Sequence, residues 1–143
     1  MSVGSITSRS VQTIRPEDSV REAATRMRQG SLGTLVVVDD QKHPIGIVTD
    51  RDLVIRALSL ERDPAATKIE AVMTRDPTVI LKTASIGDAL TLMRHGGFRR
   101  LPVVEGSGEL VGLVSFDDVM ELLAREISAV GQLLESQKSI RDS

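Results

Sequence analysis

Two stretches decide how this chain folds: Gly46-Ile47-Val48-Thr49-Asp50-Arg51-Asp52 and Gly112-Leu113-Val114-Ser115-Phe116-Asp117-Asp118. Each is an apolar, β-prone run that ends on a hydroxyl residue, with a carboxylate three positions further on, where a helix begins. They lie 66 positions apart (112 − 46). Working outward, the same offset relates Leu35-Val36-Val37-Val38-Asp39 to Leu101-Pro102-Val103-Val104-Glu105, and Met27-Arg28-Gln29-Gly30 to Met93-Arg94-His95-Gly96. It relates Ser19-Val20-Arg21-Glu22-Ala23 to Ser85-Ile86-Gly87-Asp88-Ala89, and even Ile6–Arg9 to Val72–Arg75. No insertion interrupts it, so the chain is one unit written twice.

Each unit reads β-α-β-β-α. A short strand comes first, Val11–Ile14 or Thr78–Leu81. Ser19 with Glu22, and Ser85 with Asp88, have capping-box spacing. The helices place Val20, Ala23, Ala24 and Met27, or Ile86, Ala89, Leu90 and Met93, on one stripe. Gly30 and Gly96-Gly97 are expected to end them in a left-handed C-cap. Two β-branched runs joined by polar turns predict a hairpin, and Pro102 predicts an edge or a strand start for its position. A single unit of this size is marginal alone, and its nearly continuous apolar strands need cover on both faces. The expected fold is therefore α/β (α+β under some classifications), with two repeats packed sheet to sheet around a pseudo-two-fold axis. We read residues 3–60 as repeat 1, 61–70 as a connector, 71–125 as repeat 2 and 126–143 as a C-terminal helix and tail. Val119, Leu122, Leu123, Ile127, Val130 and Leu134 keep helical spacing, which predicts a helix to about Gln137 with an apolar stripe in need of a partner.

Composition narrows the function. The chain has no cysteine, which removes thiolate metal sites, disulfides and thiol nucleophiles. Phe98 and Phe116 are its only aromatics, too few for a base-stacking platform. Eighteen basic and twenty acidic residues leave a net charge of −2, with no general attraction for nucleic acid or anionic lipid. No apolar run is long enough to span a membrane, and the N-terminus lacks a signal-peptide core. The expected location is the cytoplasm. His43 and His95 have no partner at ligand spacing, and no nucleophile–base pair appears, so no metal site and no enzyme activity are expected.

The β-α-β-β-α order, the Leu101-Pro102-Val103-Val104 strand and the two Gly-x-x-Thr/Ser-x-x-Asp endings resemble the CBS domain, and two in tandem resemble a Bateman module. The likeness covers about residues 3–125. It implies a regulatory module whose clefts between repeats bind adenosine compounds such as AMP, ADP, ATP, S-adenosylmethionine or NAD. It also implies a homodimer acting on an unknown regulated protein, with the adenine nucleotide as a regulatory ligand and no cofactor required.

Candidate ligand residues follow. Ligands to such sheets gather at strand ends beside helix starts, where free N–H groups favour phosphate. The hydroxyl of Thr49 or Ser115 can donate to that phosphate, and the carboxylate of Asp52 or Asp118 can accept from ribose hydroxyls. The resemblance assigns these residues the same roles. Both pairs are also capping boxes in form, and that structural reading stands beside the functional one. Arg99-Arg100 is the sharpest difference between the repeats, since Gly33-Thr34 stands there in the first, and guanidinium forks hold phosphate. The Ser115 motif is accordingly expected to be the better phosphate site. Arg51 and, more weakly, Lys82 are further candidates. Ile14, Val36 and Ile47 are expected to wall one cleft and Ile80, Pro102 and Leu113 the other, with Thr13 beside them. Phe116 is expected at a cleft mouth or a dimer contact. The rival to a nucleotide sensor is a ligand-independent homodimeric interaction scaffold.

Overall fold

The computed structural model describes residues 1–142. The first repeat runs β1 (Thr13–Ile14), α1 (Val20–Gly30), β2 (Thr34–Val38), β3 (Pro44–Thr49) and α2 (Asp50–Arg56). After β4 (Thr74–Arg75) come β5 (Ile80–Leu81), α3 (Ile86–Gly96), β6 (Arg100–Val104), β7 (Leu110–Ser115) and α4 (Phe116–Asp142). The helices start as their caps dictate: the Ser19 hydroxyl accepts from the Glu22 N–H, and Ser85 and Asp88 cap each other reciprocally. α3 ends on left-handed Gly97, but α1 ends on left-handed Ser31, with Gly30 still helical. Gly30 serves another purpose. A Cβ there would lie 2.7 Å from Leu32 Cδ2, so the bare backbone lets Leu32 fold back over the helix end.

The first sheet has strand order β1-β2-β3-β4 and the second β5-β6-β7. Within each repeat the short leading strand is parallel to its neighbour and the hairpin is antiparallel, with a register shift at Val37/Val38 and again at Val103/Val104. β4 belongs to the second repeat by sequence but pairs with β3 of the first, Thr74 opposite Ile47. The reverse contact sets Ser8 opposite Leu113. Adding 66 to Ser8 gives Thr74, and subtracting it from Leu113 gives Ile47, so the exchange is reciprocal. The flanking turns repeat it. The Val3 N–H donates to the Ala84 carbonyl and the Ile69 N–H to the Asp18 carbonyl, both at 2.8 Å. Val3 is buried in the core of the second repeat, while Ile69, Val72 and Met73 are buried in the core of the first. Each repeat thus completes the other, around the expected pseudo-two-fold axis.

Two glycines permit the crossing. A Cβ on Gly46 would meet Met73 Sδ at 2.5 Å, and one on Gly112 would meet Thr7 Cγ2 at 2.2 Å and the Ser8 carbonyl oxygen at 2.5 Å.

Pro102 corrects its expectation, because it lies within β6, the central strand of its sheet, opposite Leu113. The counterpart of Pro102 is Val36, whose N–H donates to the Gln12 carbonyl at 3.2 Å. Proline cannot make that bond. β5 accordingly starts at Ile80, one residue later than β1 by the offset, and the lost bond falls just before the pairing begins. α4 also differs from expectation. It passes Gln137 and continues to Asp142, through a segment without Gly or Pro and with Arg141 in its last turn, where a cation suits the helix dipole. Ser143, at the end of the expected tail, lies outside the described residues.

Candidate functional site

Both capping boxes form. The Asp52 N–H donates to Thr49 Oγ1 at 3.2 Å and the Thr49 N–H to Asp52 Oδ2 at 2.9 Å. Ser115 and Asp118 repeat the pair at 3.0 and 2.9 Å. The caps leave chemistry to spare. Each hydroxyl accepts one bond and keeps its proton to donate. Each carboxylate commits Oδ2, and Asp52 Oδ1 has Arg56 Nε only at 3.9 Å.

Of the clefts that open between the repeats, two are related by the offset of 66. The first, of about 280 Å³, takes Thr34, Ile47 and Thr49 from repeat 1 and Thr74, Pro77, Thr78, Phe98, Arg99 and Arg100 from repeat 2. The second, of about 380 Å³, takes Ser8, Val11, Gln12, Leu32, Gly33 and Thr34 from repeat 1 and Arg100 and Leu113 from repeat 2. The offset of 66 carries one into the other. Thr74 answers Ser8, Pro77 answers Val11, Thr78 answers Gln12, Phe98 answers Leu32, Arg99 answers Gly33 and Leu113 answers Ile47. Thr34 and Arg100, themselves a related pair, line both clefts and so flank the pseudo-two-fold axis.

The clefts are lined by corresponding residues and differ in charge. Arg99 and Arg100 both line the first. In the second Gly33 replaces Arg99, and a Cβ there would lie 3.0 Å from Asp50 Oδ2. Arg99 is partly engaged, with Nη2 3.3 Å from Asp117 Oδ1 and its guanidinium 4.9 Å from the Phe116 ring centre. The Arg100 side chain has no ion pair or hydrogen bond among the described residues, although its backbone lies in the β6–β7 ladder opposite Ser115. It is the one cation at the clefts with its whole guanidinium uncommitted.

This placement reverses one expectation. Arg99 and Arg100 share a cleft with Thr49, not with Ser115, because the strand exchange turns the start of β6 toward the end of β3. Other candidates move as well. Ile14 and Ile80 are core residues, 1% and 4% exposed, and wall neither cleft. Val36 and Pro102 are likewise buried inside their sheets, so of the six expected wall residues only Ile47 and Leu113 line the clefts. Thr13 pairs with Val36 in β1 and faces a separate groove beside Arg9 and Lys42. Lys82 is held by Glu105 at 3.0 Å beside another groove. Arg51 is exposed on the first turn of α2 and lines neither cleft. Asp52, Ser115 and Asp118 line neither cleft and are half-buried in their caps. Phe116 packs on the core of repeat 2 beneath Arg99.

The model of the CBS domain matches residues 3–59 and again 69–125. The chain belongs to the CBS-domain family. An uncharacterized protein of Methanopyrus kandleri is 34% identical over 122 residues, 85% of this chain and 62% of that protein. A 17.7 kDa protein of Acidianus ambivalens is 36% identical over 121 residues, 85% of this chain and 72% of that one. The chain thus spans about three-fifths of the first relative's length. Among solved structures, CBSX2 in complex with AMP superposes with a TM-score of 0.76 at 26% identity, covering 87% of this chain and 96% of that one. A CBS domain pair in complex with 5′-methylthioadenosine and S-adenosyl-L-methionine gives a TM-score of 0.77 at 25% identity, covering 88% and 98%.

As a tandem CBS pair, the molecule also shows what a linear reading passes over. Thr34, Pro77, Thr78 and Phe98 line the first cleft, and nothing in their own spacing marks them. The available signal is the match of Ile6–Arg9 to Val72–Arg75, which is the pair of segments that cross between sheets. Once those segments are exchanged, the start of one repeat's strand must face the end of the other's.

Proposed function

We propose that this chain is a regulatory module that binds an adenosine-containing ligand in the first cleft and thereby changes its interaction with a partner protein. The observation that carries this reading is the uncommitted Arg100 guanidinium set beside Arg99 and the Thr49 hydroxyl, in a cleft lined by both repeats. Two guanidinium groups and a hydroxyl suit phosphate oxygens. Asp52, one turn behind Thr49, suits the ribose hydroxyls. Ile47, Pro77 and Phe98 supply the apolar walls an adenine ring needs. The complexes of CBS neighbours with AMP, and with 5′-methylthioadenosine and S-adenosyl-L-methionine, support the ligand class.

The mechanism is bridging. A ligand held at once by the end of β3 and the start of β6 touches both repeats. It favours whichever packing of the repeats holds both contacts, and by no more than its difference in affinity for the two packings. The output is a protein contact made by a homodimer in the cytoplasm. The complete capping boxes favour a second reading, in which Thr49, Asp52, Ser115 and Asp118 only start helices and the protein is a ligand-independent scaffold. Titration calorimetry of nucleotide-free protein with AMP, ADP, ATP, S-adenosylmethionine and NAD separates the two. Saturable heat with at least one of them is expected; no binding by any of the five overturns the sensor and leaves the scaffold.

A further inference from the structure

We propose that the distal part of α4 is a pairing surface whose partner is the same helix of a second copy of this chain, running antiparallel. Met120, Leu123, Ile127, Val130 and Leu134 recur at alternating spacings of three and four, the seam of a two-stranded coiled coil. Val119 and Leu122 are buried against the module, yet these five are 47, 39, 71, 57 and 62% exposed. Leu133, beside the seam, is 59% exposed. Together the six leave about 600 Å² of surface uncovered, so a symmetric pair would bury about 1,200 Å², the lower limit for a stable interface. That is also at the top of the range of apolar patch a monomer ordinarily exposes.

Charge selects both occupant and direction. In an antiparallel pair centred between Ser128 and Ala129, Leu123 meets the partner's Leu134 and Ile127 meets the partner's Val130. Ala124 then faces the partner's Gly131, small against small. Asp117 faces the partner's Lys138, and symmetry makes this pair twice. The Asp117 side chain is 78% exposed, so it can serve both Arg99 and a partner lysine. A parallel pair has none of this. It stacks Arg141 on Arg141 at a seam position and has no opposite charges across it; a charged side chain beside Leu133 is common to both directions, Lys138 in the parallel pair and Glu126 in the antiparallel one. Antiparallel helices also oppose their dipoles.

The test uses the whole 143-residue chain without nucleotide, so its outcome is independent of ligand binding. Light scattering coupled to gel filtration at micromolar concentration should give twice the 15.5 kDa chain mass. Ile127→Glu with Val130→Glu, on the exposed face, should raise the dimer dissociation constant at least a hundredfold with helical circular dichroism unchanged. A monomeric wild type, or a folded double variant that stays dimeric, overturns the proposal. Direction is read with disulfides, since the native chain has no cysteine. An equimolar mixture of Leu123→Cys and Leu134→Cys should oxidise mainly to the mixed dimer. Like-with-like disulfides alone overturn the antiparallel pairing, even if the glutamate variant fails to fold.

Discussion

Thr49 carries two tasks on one oxygen. Its Oγ1 accepts the Asp52 N–H and so starts α2, while the hydroxyl keeps its own proton to donate to a ligand. Asp52 divides its work between oxygens in the same way, with Oδ2 on the Thr49 N–H. The two tasks separate by substitution. Asp52→Asn keeps a carbonyl oxygen to accept from Thr49, so the melting temperature should stay within a degree or two. It loses the charge that strengthens a ribose contact, which is worth about 1.5–3 kcal/mol, so AMP affinity should fall roughly tenfold or more. Paired calorimetry and thermal melts read this directly, and unchanged affinity would return Asp52 to the role of a cap alone. The two arginines differ as residues. Arg99 must leave Asp117 and the Phe116 face to reach a phosphate, whereas Arg100 has nothing to give up. Arg100→Ala should therefore weaken AMP more than Arg99→Ala does and leave adenosine nearly untouched. Equal losses for AMP and adenosine would remove both residues from phosphate binding.

At the scale of elements, the crossing of the leading segments governs everything else. β4 can lie on β3 only because Gly46 has no side chain, and Ser8 can lie against Leu113 only because Gly112 has none. The obstruction at Gly112 includes the Ser8 backbone, which cannot swing aside as a side chain can. Gly112→Ala should cost about 1–3 kcal/mol in urea unfolding, as overpacking does. Gly46→Ala should cost less, because Met73 Sδ sits at the end of a flexible chain and can move. Equal tolerance of both changes would mean the close approach is not needed. The crossing also marks where the sequence stopped being legible. Periodicity, caps and turn residues specify the β-α-β-β-α order and the pairing of β2 with β3, because those are local. The offset of 66 shows the twofold plan, because a repeat that cannot complete its own core has to share one. Neither tells that Ile6–Arg9 and Val72–Arg75 change places. A linear reading therefore matches Arg99 and Arg100 to the hydroxyl of their own repeat, and Ile14 and Ile80 to a cleft rather than to the cores that Ile69 and Val3 help to close. Pro102 departs from expectation for a related reason. Its missing donor falls just before β5 begins, a position that only the register reveals.

The molecule as a whole has two clefts related by the offset of 66 and one guanidinium that lines both. Arg100 reaches only one phosphate at a time. With AMP in the first cleft, where Arg99 and Thr49 already favour an anion, Arg100 is drawn there. The second cleft is then left with Gly33, Thr34 and the nearby Asp50 carboxylate. A second AMP must bind without a cationic partner, so its dissociation constant should exceed the first by a factor of about 10–100, the worth of one charge-assisted contact. Adenosine, with no phosphate, should fill both clefts with similar affinity. Calorimetry of the wild-type protein should therefore resolve two AMP steps and a single adenosine step. Removing both cations with Arg99→Ala plus Arg100→Ala should bring the AMP steps together. Thr34→Arg, which gives the axis its missing symmetric cation, should tighten the weak step and leave the strong one in place. Two equal AMP steps in the wild type, or unequal steps that survive in the double-alanine variant, would show that the clefts bind independently of the charge on their shared wall.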